Sequence, residues 1–268
     1  MATSLCDTFL SLAFATHRRL ARARRVLHQP LEETFTDLNI LELKCRHSTE
    51  IYSKVFTKRR EGVNGADWEW WLTNSSRSSW LGLRVQAKVI HLATNTFDHL
   101  HYRSSKTKIY QLHKLQAEAA RSGLVPLYCI YMHGVFRRTL RGRQCLSPGH
   151  KLQSYGCSLV SAAHVACLHR AARTNDIYSV MSAAVPWHCL VCANCSAHGS
   201  DLPTRAWAYL QDQFGEMGKV NADADSVHTP GPRSMPPQYV LNILQGYNVE
   251  DPPADIQVVL VIAPREDG

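Results

Sequence analysis

The amino-acid sequence predicts an α/β fold built around a mixed sheet. In residues 31–133, segments with apolar side chains at three- and four-residue spacing alternate with runs rich in β-branched and aromatic residues, the patterns of helices and strands respectively. Their order is helix, three strands, helix, strand, which combines a hairpin with a crossover connection. We therefore expect a core in residues 31–133, preceded by a basic helix in residues 1–30 and followed by a C-terminal α/β elaboration, residues 134–268, that packs on the core.

The N-terminal segment predicts an amphipathic helix. Leu5, Phe9, Leu12 and Thr16 follow helical spacing, and five arginines come after them, between positions 18 and 25. Basic residues suit the C-terminal end of a helix because of its dipole. A secretory signal would place the charge before the apolar run. A phosphate-contacting arm and an organelle-type presequence are the alternative interpretations.

The first helix of the core is expected to begin near Thr34. Thr34 and Asp37 have the spacing of a capping box. The apolar residues of this helix repeat every three or four positions: Phe35, Leu38, Leu41 and Cys45. The run at residues 51–57, rich in β-branched and aromatic residues, predicts that a strand follows the helix.

The second helix of the core has a well-marked end. Its apolar residues at helical spacing are Ile109, Leu112, Leu115 and Ala119. Gly123 then stands where many helices end in a left-handed residue. Residues 124–132 predict a buried strand after this helix. Beyond the core, residues 158–172 predict a helix, and residues 254–264 predict a strand that could join the sheet.

Two strand-like runs, residues 67–73 and 80–91, are separated by the six residues Asn74 to Ser79, whose small polar composition predicts a hairpin loop. Alternate residues share a face of a strand. Each run therefore has one apolar face and one polar face. The polar faces carry Asp67, Glu69 and Trp71 on the first run, and Gly82, Arg84, Gln86 and Lys88 on the second.

A symmetric loop predicts the register of this hairpin. The expected pairs are Thr73 with Trp80, Leu72 with Leu81, Trp70 with Leu83, and Trp68 with Val85. The same register places Glu69 across from Arg84, and Asp67 across from Gln86. Lys88 follows two residues further along that face. We expect Trp68 and Trp70 to anchor the hairpin in the core, while Trp71 lies on the polar face.

The polar face gathers a carboxylate, an amide oxygen and an ammonium group. Oxygen ligands suit a hard cation, and magnesium keeps coordination positions open for water and phosphate oxygens. Such an ion polarises a phosphodiester and activates a bound water, while a nearby lysine can orient that water or stabilise developing charge. Asp67, Gln86 and Lys88 therefore predict hydrolysis of phosphodiester bonds with Mg²⁺ or Mn²⁺.

An Asp on one strand and Gln-x-Lys on the next, within this element order, resembles the PD-(D/E)XK nuclease superfamily. It is most similar to the Mrr-like restriction endonuclease branch, where Gln-Ala-Lys replaces the commoner Glu-x-Lys. The resemblance covers residues 31–133 and implies a restriction-endonuclease-like α-β-β-β-α-β core. It implies that Asp67 is the central metal-binding carboxylate, Gln86 the second metal-facing residue and Lys88 the catalytic lysine.

Two features depart from or extend this resemblance. Gly65 and Ala66 stand where the superfamily usually has a proline before the aspartate. The stretches GADWEWW and QAK together also resemble an uncharacterised bacterial domain family, which implies no mechanism.

Many members of the superfamily take a further metal-binding glutamate from the first helix of the core. By the resemblance, Glu33, Asp37 and Glu42 compete for this role, and Glu33 is favoured. The residues expected to contact nucleic acid are the basic ones on or near the same face and in the following basic stretch: Arg84, Arg137, Arg138 and Arg141.

The sequence has nine cysteines at uneven spacing, which predicts reduced thiols in the cytoplasm. Cys189, Cys192 and Cys195 have the two-residue gaps of a metal knuckle, with His188 and His198 nearby. A structural Zn²⁺ there is the less favoured interpretation, because the sequence has no second Cys-x-x-Cys pair to close the site. Cys192 can equally be a small core residue.

The sequence thus predicts a cytoplasmic, metal-dependent endodeoxyribonuclease whose partner is DNA. The formal net charge of +8 permits a polyanionic partner, and no apolar stretch is long enough to span a membrane. A homodimer is left open. The resemblance implies a role in restriction or antiphage (antiviral) defence. The alternatives are a nucleic-acid-binding module with a decayed nuclease site and a zinc-dependent interaction protein.

Overall fold

The computed structural model describes residues 3–56, 68–134, 152–195, 201–215, 228–249 and 256–265. In these ranges, seven strands form one mixed sheet in the order β1–β7–β2–β3–β4–β5–β6. The strands are β1 (Ile51–Val55), β2 (Trp68–Thr73), β3 (Trp80–Val89), β4 (Val125–Tyr131), β5 (Cys157–Ser161), β6 (Val185–Pro186) and β7 (Val258–Ile262). The protein therefore has the α/β fold that the sequence predicts.

Within the same ranges, seven α-helices accompany the sheet. They are α1 (Leu5–Arg25), α2 (Glu32–Arg46), α3 (Gln111–Ser122), α4 (Ala162–Arg170), α5 (Ile177–Met181), α6 (Leu202–Phe214) and α7 (Gln238–Gln245), with 3₁₀ helices at Leu152–Gly156 and Trp187–Leu190. The order α2–β1–β2–β3–α3–β4 is the predicted helix, three strands, helix, strand. No helix within the described ranges is long and apolar enough to cross a membrane.

The C-terminal strand β7 is an inner strand of the sheet, next to the edge strand β1. It pairs in parallel with β2 on one side and antiparallel with β1 on the other. The predicted strand near the C-terminus therefore does join the sheet, and it separates β1 from β2. β3 and β4 are parallel and are joined through α3, as a crossover connection requires.

The β2–β3 hairpin has the predicted register. All four expected pairs are present, and Glu69 lies opposite Arg84. The loop is closed by Asn74, whose side-chain oxygen accepts hydrogen bonds from the backbone N–H groups of Ser78 at 2.8 Å and Ser79 at 3.2 Å. This local network fixes the loop length, and the loop length fixes which side chains share a face.

The apolar face of the hairpin packs against the N-terminal helices. Trp68 and Trp70 are fully buried, with ring centroids 4.9 Å apart. Phe9 of α1 lies 6.3 Å from Trp70 and 4.7 Å from Trp187, whose indole N–H donates to the Phe9 carbonyl at 2.7 Å. On the same face, Phe35 of α2 packs 5.5 Å from Tyr131. The tryptophans thus anchor the hairpin, as expected.

Element boundaries differ most from the sequence prediction at the start of α2 and in residues 158–172. α2 begins at Glu32, two residues before Thr34, and its N-cap residue Leu31 makes no side-chain cap. The predicted capping box is therefore wrong. Residues 158–172 are not helical throughout, because the chain forms β5 first and enters α4 only after Ser161, whose hydroxyl caps the helix. The end of α3 is as predicted, with Gly123 at φ +62°.

Gly82 is required by close packing above the polar face of β3. A Cβ atom at this position would lie 2.4 Å from Leu124 Cδ2 and 2.8 Å from the Trp71 ring. We expect Gly82→Ala to lower the free energy of unfolding by about 1–3 kcal/mol, because both neighbours are fully packed. Urea denaturation measures this change. Gly231→Ala is the control, since the nearest atom there is at 3.9 Å, and an equal loss in both variants would contradict the packing argument.

Candidate active site

The polar face of β2 and β3 buries four polar or charged side chains in a row. The exposed fractions are 1% for Glu69, 3% for Arg84, 0% for Gln86 and 3% for Lys88. Glutamate, arginine and lysine are almost never buried to this extent unless they are paired. This face therefore needs partners from other elements.

Glu69 and Arg84 satisfy each other across the hairpin. Arg84 Nη1 donates to Glu69 Oε1 at 3.1 Å. The second carboxylate oxygen accepts from the Tyr239 hydroxyl of α7 at 2.5 Å and from the Trp71 indole at 3.3 Å. Burial raises the pKa of Glu69 above its ordinary value, although Arg84 and the Tyr239 hydrogen bond oppose that shift. Burial also raises the pKa of Tyr239.

A cleft of about 650 Å³ lies above this pair. Glu69, Arg84 and Tyr239 line it together with residues of α3 and of the segment before α7, among them Glu118, Arg121, His228 and Arg233. Arg84 was expected to contact nucleic acid. Its guanidinium is buried and held by Glu69, so Arg84 stabilises the sheet face, and its contact with nucleic acid stays a prediction.

Lys88 reaches the start of α2. Its ammonium group lies 3.4 Å from Glu32 Oε1, and the Glu32 side chain is 25% exposed. The acid that the first helix brings to the lysine is thus Glu32 and not Glu33, which is exposed one residue further along the helix. Among the other predicted acids, Asp37 is exposed and Glu42 pairs with Arg46 at 2.8 Å.

Gln86 lies between the two charged pairs on the same face. It is fully buried, its side-chain N–H donates to the Ala87 carbonyl at 3.3 Å, and it sits beside Tyr128 in the register with β4. Residues two apart along a strand are about 7 Å from each other. The ion pairs of Arg84 and Lys88 therefore flank Gln86 on one continuous polar strip.

Other predicted site residues lie outside the described residues. Asp67 immediately precedes Trp68, the first residue of β2, and is one of them. The basic residues Arg137, Arg138 and Arg141 are also outside the described ranges. The pairing of Asp67 with Gln86 therefore stays a prediction.

The described part of the chain contains no group of three or more His, Cys, Asp or Glu residues placed to hold a metal ion. Cys189, Cys192 and Cys195 are all described and buried, whereas His198 is outside the described ranges. Burial, and then the proximity of Cys189 and Cys195, raises the pKa of Tyr209 of α6. Cys189 and Cys195 thus lie next to Tyr209 of α6, and Cys192 is buried as well.

Sequence reasoning missed Glu32 and Tyr239. Glu32 was missed because Glu32 and Glu33 are adjacent in the sequence, and no local pattern shows which of the two contacts Lys88. The signal that could have identified Glu32 is the pair of acids, Glu32 and Glu33, at the start of a helix, where carboxylates are favoured. Tyr239 carries no such signal, because it is 170 positions from Glu69.

The buried Glu69–Arg84 pair leads to a stability prediction. Arg84→Met should lower the free energy of unfolding by about 3–5 kcal/mol, because it leaves a buried carboxylate without its counter-charge. The double variant Glu69→Gln/Arg84→Met should recover most of this loss. Arg46→Met is the control, since the exposed Arg46–Glu42 pair is worth less than about 1 kcal/mol. Urea denaturation distinguishes these cases. If the losses of unfolding free energy from the two substitutions simply added in the double variant, the energetic coupling of Glu69 and Arg84 would be contradicted.

Comparison with known proteins places the chain in a family. Neither the curated proteins nor the solved structures give a match. Residues 5–268, nearly the whole chain, match the model of a family described as a family of unknown function, DUF6615. The chain belongs to that family.

Proposed function

We propose that the polar face of β2 and β3 is the catalytic site of a metal-dependent nuclease that hydrolyses DNA phosphodiester bonds. The observation that carries the proposal is the placement of Lys88, a buried lysine next to Gln86 and 3.4 Å from a carboxylate of the first core helix. Buried ionisable groups are frequent at catalytic sites, and the cleft lined by Glu69 and Arg84 lies further along the same polar face.

The element order and the hairpin register support the same proposal. The PD-(D/E)XK resemblance implies helix, three strands, helix, strand, and α2–β1–β2–β3–α3–β4 has that order. The prediction that Asp67 stands across from Gln86 rests on the register that the six pairs from Trp68 to Thr73 follow. The same resemblance suggests a place for the enzyme in restriction or antiphage defence.

The donor set suits a hard cation. Carboxylate and amide oxygens are the ligands that Mg²⁺ and Mn²⁺ take, and we assign Asp67, Gln86 and Glu32 to them. The bound ion would polarise the scissile phosphodiester and lower the pKa of a water ligand. Glu32 is partly exposed, so its carboxylate is accessible from solvent.

Lys88 has a role of its own in this proposal. Its ammonium group is held by Glu32 and largely shielded from water, and electrostatic interactions are stronger in such an environment. A fixed positive charge there stabilises the negative charge that develops on the phosphate oxygens. Gln86, which is neutral, adds an oxygen without adding repulsion for the phosphate.

Substitution of the lysine and of the aspartate tests the proposal. The parent protein should nick or cut plasmid DNA in Mg²⁺ or Mn²⁺ and lose this activity in EDTA. Lys88→Met and Asp67→Asn should each lower the cleavage rate by at least about 100-fold, while thermal unfolding shows that the fold is kept. Lys54→Met, which removes a lysine from strand β1 of the same sheet, is the matched control.

Other outcomes of this assay separate the alternatives. Cleavage by both variants at the parental rate would contradict the assigned site. DNA binding without cleavage in any divalent metal would favour a binding module whose nuclease site has decayed. Stoichiometric zinc in the purified protein, lost together with the fold in Cys189→Ser and Cys195→Ser, would favour a zinc-dependent interaction protein.

Two neighbouring glutamates test which helix acid belongs to the site. Glu32→Gln should lower the cleavage rate by about 10- to 100-fold, because it removes a charge next to Lys88. Glu33→Gln changes the same charge one position away and should leave the rate within about twofold of the parent. Cleavage rates at several Mg²⁺ concentrations provide the comparison. A larger loss of cleavage rate in Glu33→Gln than in Glu32→Gln would contradict the assignment of Glu32 to the site.

A further inference from the structure

Aromatic and basic side chains surround Tyr110, the residue just before α3. The imidazole of His169 lies 4.5 Å from the Tyr110 ring, and that of His113 lies 5.6 Å from it. Arg103 and Arg173 place their guanidinium carbons 5.4 Å and 5.6 Å from the same ring centroid. We call these residues, together with His101, which is 5.2 Å from His169, the Tyr110 cluster.

The Tyr110 cluster contains several basic side chains and no carboxylate. Within the described residues, neither arginine and none of the three histidines of the cluster forms an ion pair with an acid. The Nδ1 atoms of His101 and His169 are buried and have no hydrogen-bond partner in the same part of the chain. Burial first, and then the neighbouring positive groups, lowers the pKa of His169. The cluster therefore has an uncompensated positive potential.

The backbone around the cluster is held in an unusual conformation. Ala172 and Arg173 have φ values of 56° and 57°, and Lys108 has a φ of 58°. These left-handed conformations are unfavourable for residues other than glycine and often occur at functional sites. The Lys108 carbonyl accepts a hydrogen bond from Arg103 Nε at 2.7 Å, which holds the Arg103 side chain in place beside the Tyr110 ring.

A groove of about 530 Å³ continues from the cluster along α3. His113, Lys114 and Arg121 line it. Arg121 comes eight positions after His113, which is about 12 Å along the helix. Residues 99–123 carry five lysines and arginines and one acid, Glu118. Tyr102, which is 45% exposed, lies in the same groove and offers an aromatic ring.

We infer that the Tyr110 cluster and this groove bind the phosphate backbone of a DNA strand. Arg103 and Arg173 contact phosphates, His113 and Lys114 extend the contact along α3, and Tyr102 stacks on a base. Arg121, at the far end of the groove, pairs with Glu118, so the positive charge is concentrated at Arg103 and Arg173, with Lys114 in the groove on α3. Several cations spread along a surface match an extended polyanion better than a single phosphate. An aromatic ring beside a basic groove is the usual arrangement for contact with unpaired bases.

The position of α3 connects this surface with the candidate active site. α3 leads back to the start of β4, which is parallel to β3. Its first residue therefore lies toward the end of the sheet at which Lys88 stands, while its last turn borders the cleft above Glu69. The choice of DNA as the polyanion rests on the proposed function, whereas the anion site itself rests on the cluster alone.

Binding measurements in EDTA test this inference separately from catalysis. Fluorescence anisotropy with a labelled single-stranded oligonucleotide should give a Kd about tenfold weaker for Arg103→Ala/Arg173→Ala than for the parent. The slope of log Kd against log salt should fall by about 1.4, since each phosphate contact on a single strand contributes about 0.7. Thermal unfolding should be unchanged, because both arginines are exposed.

A charge-matched variant provides the control. Arg18→Ala/Lys44→Ala removes two exposed positive charges from α1 and α2, on the opposite face of the sheet, and should leave the Kd within about twofold of the parent. Equal losses of DNA affinity in the two double variants would contradict a specific site and would indicate general electrostatic attraction. Unchanged DNA binding in Arg103→Ala/Arg173→Ala would also overturn it.

The source of the phosphate is tested by competition. Inorganic phosphate, at the same phosphorus concentration as unlabelled oligonucleotide, should displace the labelled strand much less than the oligonucleotide does. Equal displacement would overturn the assignment to a DNA strand. If Lys88→Met left cleavage unchanged while Arg103→Ala/Arg173→Ala still weakened binding, the proposed active site would fail and the binding surface would stand.

Discussion

Glu69 and Arg84 face each other across the β2–β3 hairpin in a region that water hardly reaches. Two opposite charges in such a place are tolerated only when each has hydrogen-bond partners in good geometry. Trp71 of the same strand and Tyr239 of α7 supply those partners for the carboxylate. The charged sheet face therefore requires a cover from the C-terminal half of the chain, which explains why α7 packs where it does.

The same constraint operates at the other end of the polar strip. Lys88 is as buried as Arg84, and the start of α2 brings Glu32 to it. On the opposite face, Trp70 packs against Phe9 of α1, and Trp68 packs against Trp70. A one-residue slip would exchange the tryptophan face with the charged face. Apolar packing on one side thus determines which ionisable groups meet on the other.

The local part of this arrangement could be predicted from the sequence. The alternation of apolar and polar residues in the hairpin, together with the length of its loop, was sufficient to predict that Glu69 pairs with Arg84. Gly123 was sufficient to predict where α3 ends. Long-range pairing could not be predicted. Strand β7 lies between β1 and β2, although more than 180 residues separate it from either strand in the chain. No local sequence pattern indicates which strands will be neighbours in a sheet.

The candidate site was predicted in outline and corrected in detail. Lys88 and Gln86 lie on the expected face, but the helix acid beside Lys88 is Glu32, and Arg84 is buried against Glu69. Both corrections have one cause, namely that the sequence pattern does not show which charges are buried together. Tyr239 and the arginines of the Tyr110 cluster were missed for the same reason, because only the fold brings them to their partners.

The most direct test of the central claim is a crystal structure of the protein with bound Mn²⁺, located by its anomalous scattering. The account predicts one ion beside Lys88, within about 2.5 Å of oxygen atoms from Asp67 and Gln86 and near Glu32. An ion bound elsewhere, with Lys88 and Gln86 remote from it, would contradict the claim that the polar face of β2 and β3 is a metal-dependent catalytic site.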